Sequence, residues 1–455
     1  MEAEKRQYIK MTTTPVPRLI VVLAIPTIIS MLVTNIYNTG DTFFVSKLGT
    51  SASGAIGIVF AIMAFYQAVG FMCGQGAGSF VSRFLGAKKI DDAKAYASTG
   101  ALGAIILSLI ITVLGFLFMN PFLRLLGATE TILPFAREYA FWVLIAGPFL
   151  SVSCVLNNIL RYEGKAFYAM IALTAGGILN LAGDPILIFG LDMGVSGAGI
   201  ATAFSQMVSC GILYFMFMSG KTTSKIDLSR AKYEYFIKVT SAGFPSLIRQ
   251  CLAATTTILL NMQAKPYGDS AIAAMSVVGR IGFLIASVAV GLGQGLQPVA
   301  AFNYGAKKYG RVKKAWAVST IIGTVFLSGF ALYCLFNSET IISWFRNDEK
   351  MIEIGAAALR WTALSCLASP FAVSSAMLLQ STGKSKEASF LALLKNGILF
   401  VPLILILPNY IGISGVEMAQ PLADILTAVI TIPLVVDYLR RLTAAEKIEN
   451  AKEIN

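Results

Sequence analysis

Two aspartates lie inside stretches of sequence that are otherwise almost entirely apolar. Asp184 is the only charged residue in 169–190, and Asn180 precedes it by one helical turn, on the same face of a helix. Asp41 has Tyr37 before it at the same spacing, in the sequence YNTGD. Carboxylate, amide and phenol groups are therefore placed at helical spacing in two apolar segments, where they can bind a proton or a cation.

These polar residues have the chemistry of a cation site. A charged aspartate at the centre of a membrane helix costs about 2.5–3.5 kcal/mol on insertion scales, so such residues are functional hypotheses by default. With Thr202 at a similar depth in the next apolar run, Asp41, Asn180 and Asp184 offer oxygen ligands suited to Na⁺ as well as to H⁺. The structural alternative is that Asp41 caps a helix end and Asp184 pairs with a passing polar group. We expect no cofactor beyond this ion.

Composition identifies the environment of these residues as a membrane. Of 455 residues, 56% are apolar and 13% charged, whereas soluble domains carry about 25% charged residues. Histidine is absent, and the six cysteines lie in different apolar runs, which indicates small buried side chains rather than disulfides. We predict an all-α integral membrane protein of the cell membrane, with a retained first span rather than a cleaved signal peptide.

Apolar runs long enough to cross a bilayer number twelve, since a span needs roughly 20 residues. They are 18–45, 52–82, 95–119, 133–159, 166–190, 197–219, 237–263, 271–301, 313–335, 352–381, 386–408 and 415–439. If the N-terminus is cytoplasmic, 26 of the 36 Lys and Arg residues fall on the cytoplasmic side and 6 on the other. This bias predicts that both termini are cytoplasmic, and it accounts for the net charge of +12 without a nucleic-acid partner.

The second half of the chain repeats motifs of the first half at a constant offset. GQG at 74–76 recurs at 293–295, and GAKK at 86–89 recurs at 305–308. Six spans per copy give both copies the same orientation, which predicts parallel repeats with a substrate site between them and transport by alternating access. We therefore predict an N-terminal lobe at 1–219, a cytoplasmic linker at 220–236 and a C-terminal lobe with a cytoplasmic tail at 237–455.

Two other polar features have competing interpretations. Asp424, Arg280 and Lys395 lie within spans of the C-terminal half and could form a secondary polar site, but one acid among several bases favours structural ion pairing. GQGAG at 74–78 resembles a phosphate loop, but it lacks the Lys-Ser/Thr of that motif and lies inside a span. Close helix packing is the interpretation we favour for it.

Four segments together resemble the multidrug and toxic compound extrusion (MATE) family, in particular its prokaryotic DinF-like and MepA-like members. They are YNTGDTFFVSKLG (37–49), ILRYEGKA (159–166), ILNLAGDPILIFG (178–190) and GVSGAGIAT (194–202). The resemblance covers nearly the whole chain and implies two six-helix bundles and an antiporter that exports organic cations and other drugs in exchange for H⁺ or Na⁺. Its cation-coupling residues map onto Tyr37, Asp41, Asn180, Asp184 and Thr202. We expect small lipophilic cations as substrates, and a monomer in the lipid bilayer.

Other functions on the same fold are also compatible with the sequence. A flippase for a lipid-linked precursor, or an exporter of an endogenous metabolite, would share the spans and the repeat. A flippase should have a lateral groove rich in basic residues, and the basic residues within spans are few. A membrane enzyme is a distant third, and we expect none, because the sequence shows no histidine, no metal-ligand cluster and no nucleophile–base pair.

Overall fold

The protein is helical throughout the part of the chain that the structure describes. The computed structural model describes residues 2–220, 222–345 and 348–454, and these ranges contain no β-strand. The linker predicted at 220–236 includes Lys221, which lies outside the described residues. The α-helices are α1 Glu2–Thr13, α2 Val16–Ser46, α3 Thr50–Gly86, α4 Ile90–Leu117, α5 Met119–Leu125, α6 Leu133–Tyr162, α7 Ala166–Pro185, α8 Gly194–Met218, α9 Tyr233–Ala264, α10 Asp269–Gly305, α11 Tyr309–Ser343, α12 Glu349–Ser365, α13 Ser369–Ser381, α14 Ser385–Leu393, α15 Phe400–Ile411 and α16 Ile413–Ile454. Short π-helical segments occur at Ile186–Gly190 and Leu394–Leu399, and 3₁₀ turns at Leu228–Arg230 and Lys265–Tyr267.

The prediction of an all-α, multi-pass membrane protein is confirmed. Ten helical segments in the described ranges are long and apolar enough to cross a membrane, and an eleventh is obtained if α12 and α13 form one bent span. The bend between these two helices is 50°, where Pro370 in the first turn of α13 starts a new helix. The remaining predicted span, 237–263, lies in α9, which is 32 residues long but contains Arg249 among many hydroxyl-bearing residues.

The internal repeat is present in the backbone as well as in the sequence. Lys88 and Lys307 occupy equivalent positions in the two GAKK segments, and both have left-handed backbone, with φ of 60° and 59°. Gly164 and Gly383 are a second equivalent pair, and their φ values are 76° and 92°. A residue with left-handed backbone just past a helix end turns the chain away from the helix axis. The backbone N–H groups at that turn can then donate hydrogen bonds to the last carbonyl groups of the helix. Corresponding helices in the two halves of the chain therefore end with the same backbone conformation.

The helices are grouped into two compact units, and three helices, α1, α2 and α9, contribute to both. Unit 1 consists of Met1–Gln7 and Ile29–Gln250, and unit 2 consists of Tyr8–Ile28 and Cys251–Asn455. The beginning of α2 therefore packs in unit 2 and its remainder in unit 1, whereas α1 and α9 are divided the opposite way. Each unit has its own buried apolar core. The predicted lobe boundaries at 219 and 237 stay a prediction.

The glycines of GQGAG are packing positions, as predicted. A Cβ atom on Gly76 would lie 2.0 Å from the backbone oxygen of Val239, and one on Gly78 would lie 2.3 Å from the ring of Tyr162. In unit 2, a Cβ on Gly295 of the second GQG would lie 2.8 Å from the backbone nitrogen of Ala24. Both GQG segments thus allow close approach of a neighbouring helix within their own unit.

Candidate functional site

Asp184 is completely buried at the end of α7. Its residue exposure is 0%, and neither carboxylate oxygen has a hydrogen-bond partner among the described residues. Pro185 follows it and lacks an N–H group, and the chain continues as the π-helical segment Ile186–Gly190. Because proline cannot make the regular helical hydrogen bond, it favours a change of helical register at this point. The acid therefore lies where the helix changes its geometry, as is frequent at functional sites.

Asp41 is buried on α2 and is held by a tyrosine from α6. Its Oδ2 atom accepts a hydrogen bond from the hydroxyl of Tyr139 at 2.8 Å, whereas Oδ1 has no partner in the described ranges. The charge of Asp41 acts electrostatically on the carboxyl group of Asp184. A second negative charge makes each carboxylate a better ligand for a cation.

Asn180 and Thr202 complete the same polar cluster. The amide nitrogen of Asn180 donates to the Thr202 hydroxyl at 3.3 Å, and that hydroxyl lies 3.5 Å from the oxygen of Tyr139. The amide oxygen of Asn180 is buried and finds no hydrogen-bond partner in the part of the chain that the structure describes. Four predicted residues are therefore brought together in unit 1 by α2, α7 and α8, with α6 supplying the tyrosine.

The predicted residue Tyr37 lies beside this cluster but has other partners. Its ring lies against Gly177, and its hydroxyl lies near the side chains of Gln206 and Thr34. Within the described residues it makes no hydrogen bond to either carboxylate. Tyr37 therefore contributes to the wall behind Asp41 rather than to the group of oxygen ligands.

The unpartnered atoms of the cluster form a set of cation ligands. They are four buried oxygens: Oδ1 of Asp41, Oδ1 of Asn180 and both carboxylate oxygens of Asp184. Hard cations prefer oxygen ligands of this kind, and a proton can be held by either carboxylate. Among the described residues, no group of three or more His, Cys, Asp and Glu side chains is arranged to hold a metal. A Na⁺ ion here would therefore depend on the amide and hydroxyl oxygens as well as on the two acids.

Tyr139 is a residue of this cluster that sequence reasoning missed. It is 1% exposed and lies 98 residues from the aspartate to which it donates. Within its own segment it is one aromatic residue among several, so no local pattern distinguishes it. Only the folded structure shows that its hydroxyl reaches Asp41 on α2 and Thr202 on α8.

The predicted secondary polar site is only partly assembled. Lys395 and Asp424 form an ion pair at 3.2 Å, and Gln420 donates to the same carboxylate at 2.8 Å. Arg280 makes no hydrogen bond or ion pair among the described residues, so it does not join them. Glu417, which is not among the predicted residues, is 4% exposed on the same helix as Asp424. The pairing of Asp424 with a lysine supports a structural role for these two residues.

Comparison with known protein families identifies the repeated unit. A family model described as MatE matches residues 26–186 and again residues 245–406. The matches begin at Pro26 and Pro245, which are equivalent positions of the repeat seen in the sequence. Together they cover more than half of the chain.

Similar proteins include curated and solved examples over nearly the full length. Multidrug export protein MepA of Staphylococcus saprophyticus is 28% identical over 94% of this chain and 94% of its own length. Multidrug export protein MepA of Staphylococcus aureus is 29% identical over 94% of this chain and 95% of its own length. In structure, a MOP superfamily transporter from Pyrococcus furiosus has a TM-score of 0.89 at 24% identity, covering 96% of this chain and 98% of the other.

Proposed function

This chain belongs to the MatE family, and we propose that it is a multidrug exporter that exchanges small organic molecules for a cation, H⁺ or Na⁺. The names of the two staphylococcal relatives support export of drugs. Family membership also means that the protein is a transporter rather than an enzyme. The identity of the driving ion and the exchange itself rest on the chemistry of the cluster around Asp41 and Asp184.

One observation carries the proposal of cation coupling. Four buried oxygens of Asp41, Asn180 and Asp184 have no hydrogen-bond donor among the described residues. Leaving buried polar atoms without partners costs free energy, more so when the group is charged. A proton or Na⁺ bound among these oxygens would remove that cost, so the site is built to be occupied during part of the transport cycle.

The proposed cycle couples the charge of this site to the export of substrate. Binding of a cation from outside neutralises the carboxylates, and release of that cation inside restores the charge. A ligand shifts a conformational equilibrium only through different affinities for the two states. Asp184 lies next to Pro185 and the π-helical segment, and we propose that protonation or Na⁺ binding changes helix packing there. The substrates we propose are lipophilic organic cations.

We propose further that the protein works as a monomer in the bacterial plasma membrane, with both termini in the cytoplasm. The concentration of Lys and Arg in alternate loops supports this orientation. With this orientation, the cluster of Asp41 and Asp184 lies in the outer half of the membrane.

The test is gradient-driven efflux of a fluorescent organic cation from proteoliposomes that contain the purified protein. A pH gradient and a Na⁺ gradient are imposed in separate experiments on the wild type, Asp41→Asn and Asp184→Asn. Asp192→Asn is the matched control, because Asp192 is exposed in a loop and has φ of 51°, a conformation that asparagine adopts readily.

We expect one gradient to drive efflux by the wild type and the control, and neither gradient to drive it in the two site variants. The gradient that works then identifies the coupling ion. Full efflux by Asp184→Asn would refute the role of this site. If neither gradient moves the dye with the wild type, drug export itself is wrong for this protein.

A further inference from the structure

A second buried polar cluster in unit 1 has the opposite chemistry from the aspartate site. It is formed where α3, α6 and α9 pack together, and its members include Gln75, Tyr162 and Arg161, which are 0%, 1% and 7% exposed. Arg249 on α9 is half-buried. Gln75 belongs to the GQG segment, whose glycines allow the helices to approach so closely.

Two hydrogen-bond donors in this cluster have no partner among the described residues. The amide oxygen of Gln75 accepts from Ser246 at 2.7 Å and from Arg249 at 3.4 Å, which leaves its amide nitrogen buried without an acceptor. The hydroxyl of Tyr162 is also buried without a hydrogen-bond partner. In well-packed proteins such groups are almost always satisfied, so each exception requires an explanation.

Guanidinium groups act on the same region, and one of them, that of Arg83, interacts electrostatically with the Tyr162 hydroxyl. Arg161 and Arg249 interact electrostatically with each other and with the Tyr162 hydroxyl. Arg161 donates a hydrogen bond to Asn158 at 2.8 Å, and Arg249 forms no ion pair with an acid in the part of the chain that the structure describes. Like charges brought together in an apolar interior repel each other, and an anion between them would remove that repulsion.

We propose that Gln75, Tyr162, Arg161 and Arg249 form a binding site for an oxyanion, that is, a carboxylate or phosphate group. Guanidinium groups are the preferred partners of such groups, and the two unpartnered donors would complete the coordination. The partial exposure of Arg249 provides access to the site. The anion would come from a soluble molecule or from a phospholipid headgroup. This site does not depend on cation coupling at Asp184.

The soluble source is tested by titrating inorganic phosphate into the purified full-length protein in a neutral detergent. The shift of the thermal unfolding midpoint is compared with that caused by sodium chloride at equal ionic strength. The variants are Tyr162→Phe and Arg249→Gln, and Tyr410→Phe and Arg441→Gln are matched controls on exposed positions. The lipid source is tested by native mass spectrometry of protein released from nanodiscs of phosphatidylcholine with and without phosphatidylglycerol.

We expect phosphate or phosphatidylglycerol to bind the wild type, both controls and Asp184→Asn. Loss of a hydrogen bond to a charged group should weaken binding about tenfold in Tyr162→Phe, and more in Arg249→Gln. Tyr162→Phe should unfold at the wild-type temperature when no anion is present, because its hydroxyl has no partner among the described residues. The proposal is overturned if neither probe binds, or if Tyr162→Phe binds both as tightly as the wild type.

Discussion

A single buried carboxylate, Glu163, fastens the segment between α8 and α9 to the turn that follows α6. It is 1% exposed. Its carboxylate accepts hydrogen bonds from the backbone N–H groups of Thr223 at 3.0 Å and Ser224 at 2.7 Å, and it pairs with Lys165 at 2.6 Å. The backbone oxygen of Glu163 also accepts a hydrogen bond from Gln7 at 2.8 Å. We predict that Glu163→Gln releases this segment while the helices stay folded.

The size of the effect follows from these contacts. Glutamine keeps the shape of the side chain but has one acceptor oxygen, so one of the two backbone N–H groups would face an amide NH₂. A hydrogen bond to a charged group contributes about 1.5–3 kcal/mol, and removing one partner of a buried ion pair costs about 3–5 kcal/mol. Lys165 is partly exposed, which reduces the loss. We therefore expect the free energy of local opening to be about 3 kcal/mol lower in Glu163→Gln than in the wild type. The population of the open state should then be roughly a hundredfold larger.

Limited proteolysis measures that population directly. Lys225, Arg230 and Lys232 follow the fastened residues and are sites for trypsin. When opening and closing are fast relative to cleavage, the cleavage rate is proportional to the open population. Glu163→Gln should therefore be cut about a hundredfold faster than the wild type. The matched control is Glu130→Gln, which removes an exposed ion pair with Arg124 and should leave the rate unchanged. Equal rates in Glu163→Gln and the wild type would refute this account.

Three other substitutions have defined outcomes. Tyr139→Phe removes the hydrogen bond to Asp41 and should slow gradient-driven efflux about tenfold, with normal insertion into the membrane. An unchanged rate would show that Tyr139 is not needed to position Asp41. Lys395→Met leaves the carboxylate of Asp424 without its ion-pair partner and should lower the unfolding midpoint. The double variant Lys395→Met/Asp424→Leu should restore the midpoint and keep coupled efflux. Loss of efflux in the double variant would instead assign a transport role to the pair. Gly76→Ala forces a methyl group against the backbone of α9 and should lower the free energy of unfolding by about 1–3 kcal/mol in chemical denaturation. The control is Gly211→Ala, because nothing lies within 4 Å of a Cβ atom at Gly211. Equal unfolding midpoints for the two variants would show that Gly76 is not needed for close helix packing.

The membrane spans could be predicted because each one is specified by residues that are neighbours in the sequence. An apolar run and the polar break that ends it are both read from neighbouring residues, as in 133–159, which became α6 at Leu133–Tyr162. The bend between α12 and α13 was missed because the run 352–381 is apolar on both sides of Pro370. The division of α2 between the two units also leaves no trace in the sequence. An apolar helix has the same composition whichever unit it packs against.

The candidate site was partly predictable because a charged residue inside an apolar membrane span costs free energy. Asp41 and Asp184 are conspicuous for that reason, and Asn180 follows from helical spacing. Tyr139 could not be found this way, because an aromatic residue in a span costs nothing and has no fixed spacing to Asp41. The partners of Tyr37 were equally hidden. It lies one helical turn before Asp41, but its hydroxyl lies near Gln206, which is contributed by another helix.

The two polar clusters of unit 1 differ in which kind of atom lacks a partner among the described residues. Around Asp41 and Asp184 the unpartnered atoms are acceptors, whereas beside Arg249 they include the Gln75 amide and the Tyr162 hydroxyl, both able to donate. If buried polar groups were merely tolerated imperfections, acceptors and donors should be mixed in each place. Their separation instead matches ligands of opposite charge, a cation at the first cluster and an oxyanion at the second. Each cluster should therefore respond to its own ligand, and Asp184→Asn should abolish coupled efflux while leaving phosphate or lipid binding intact.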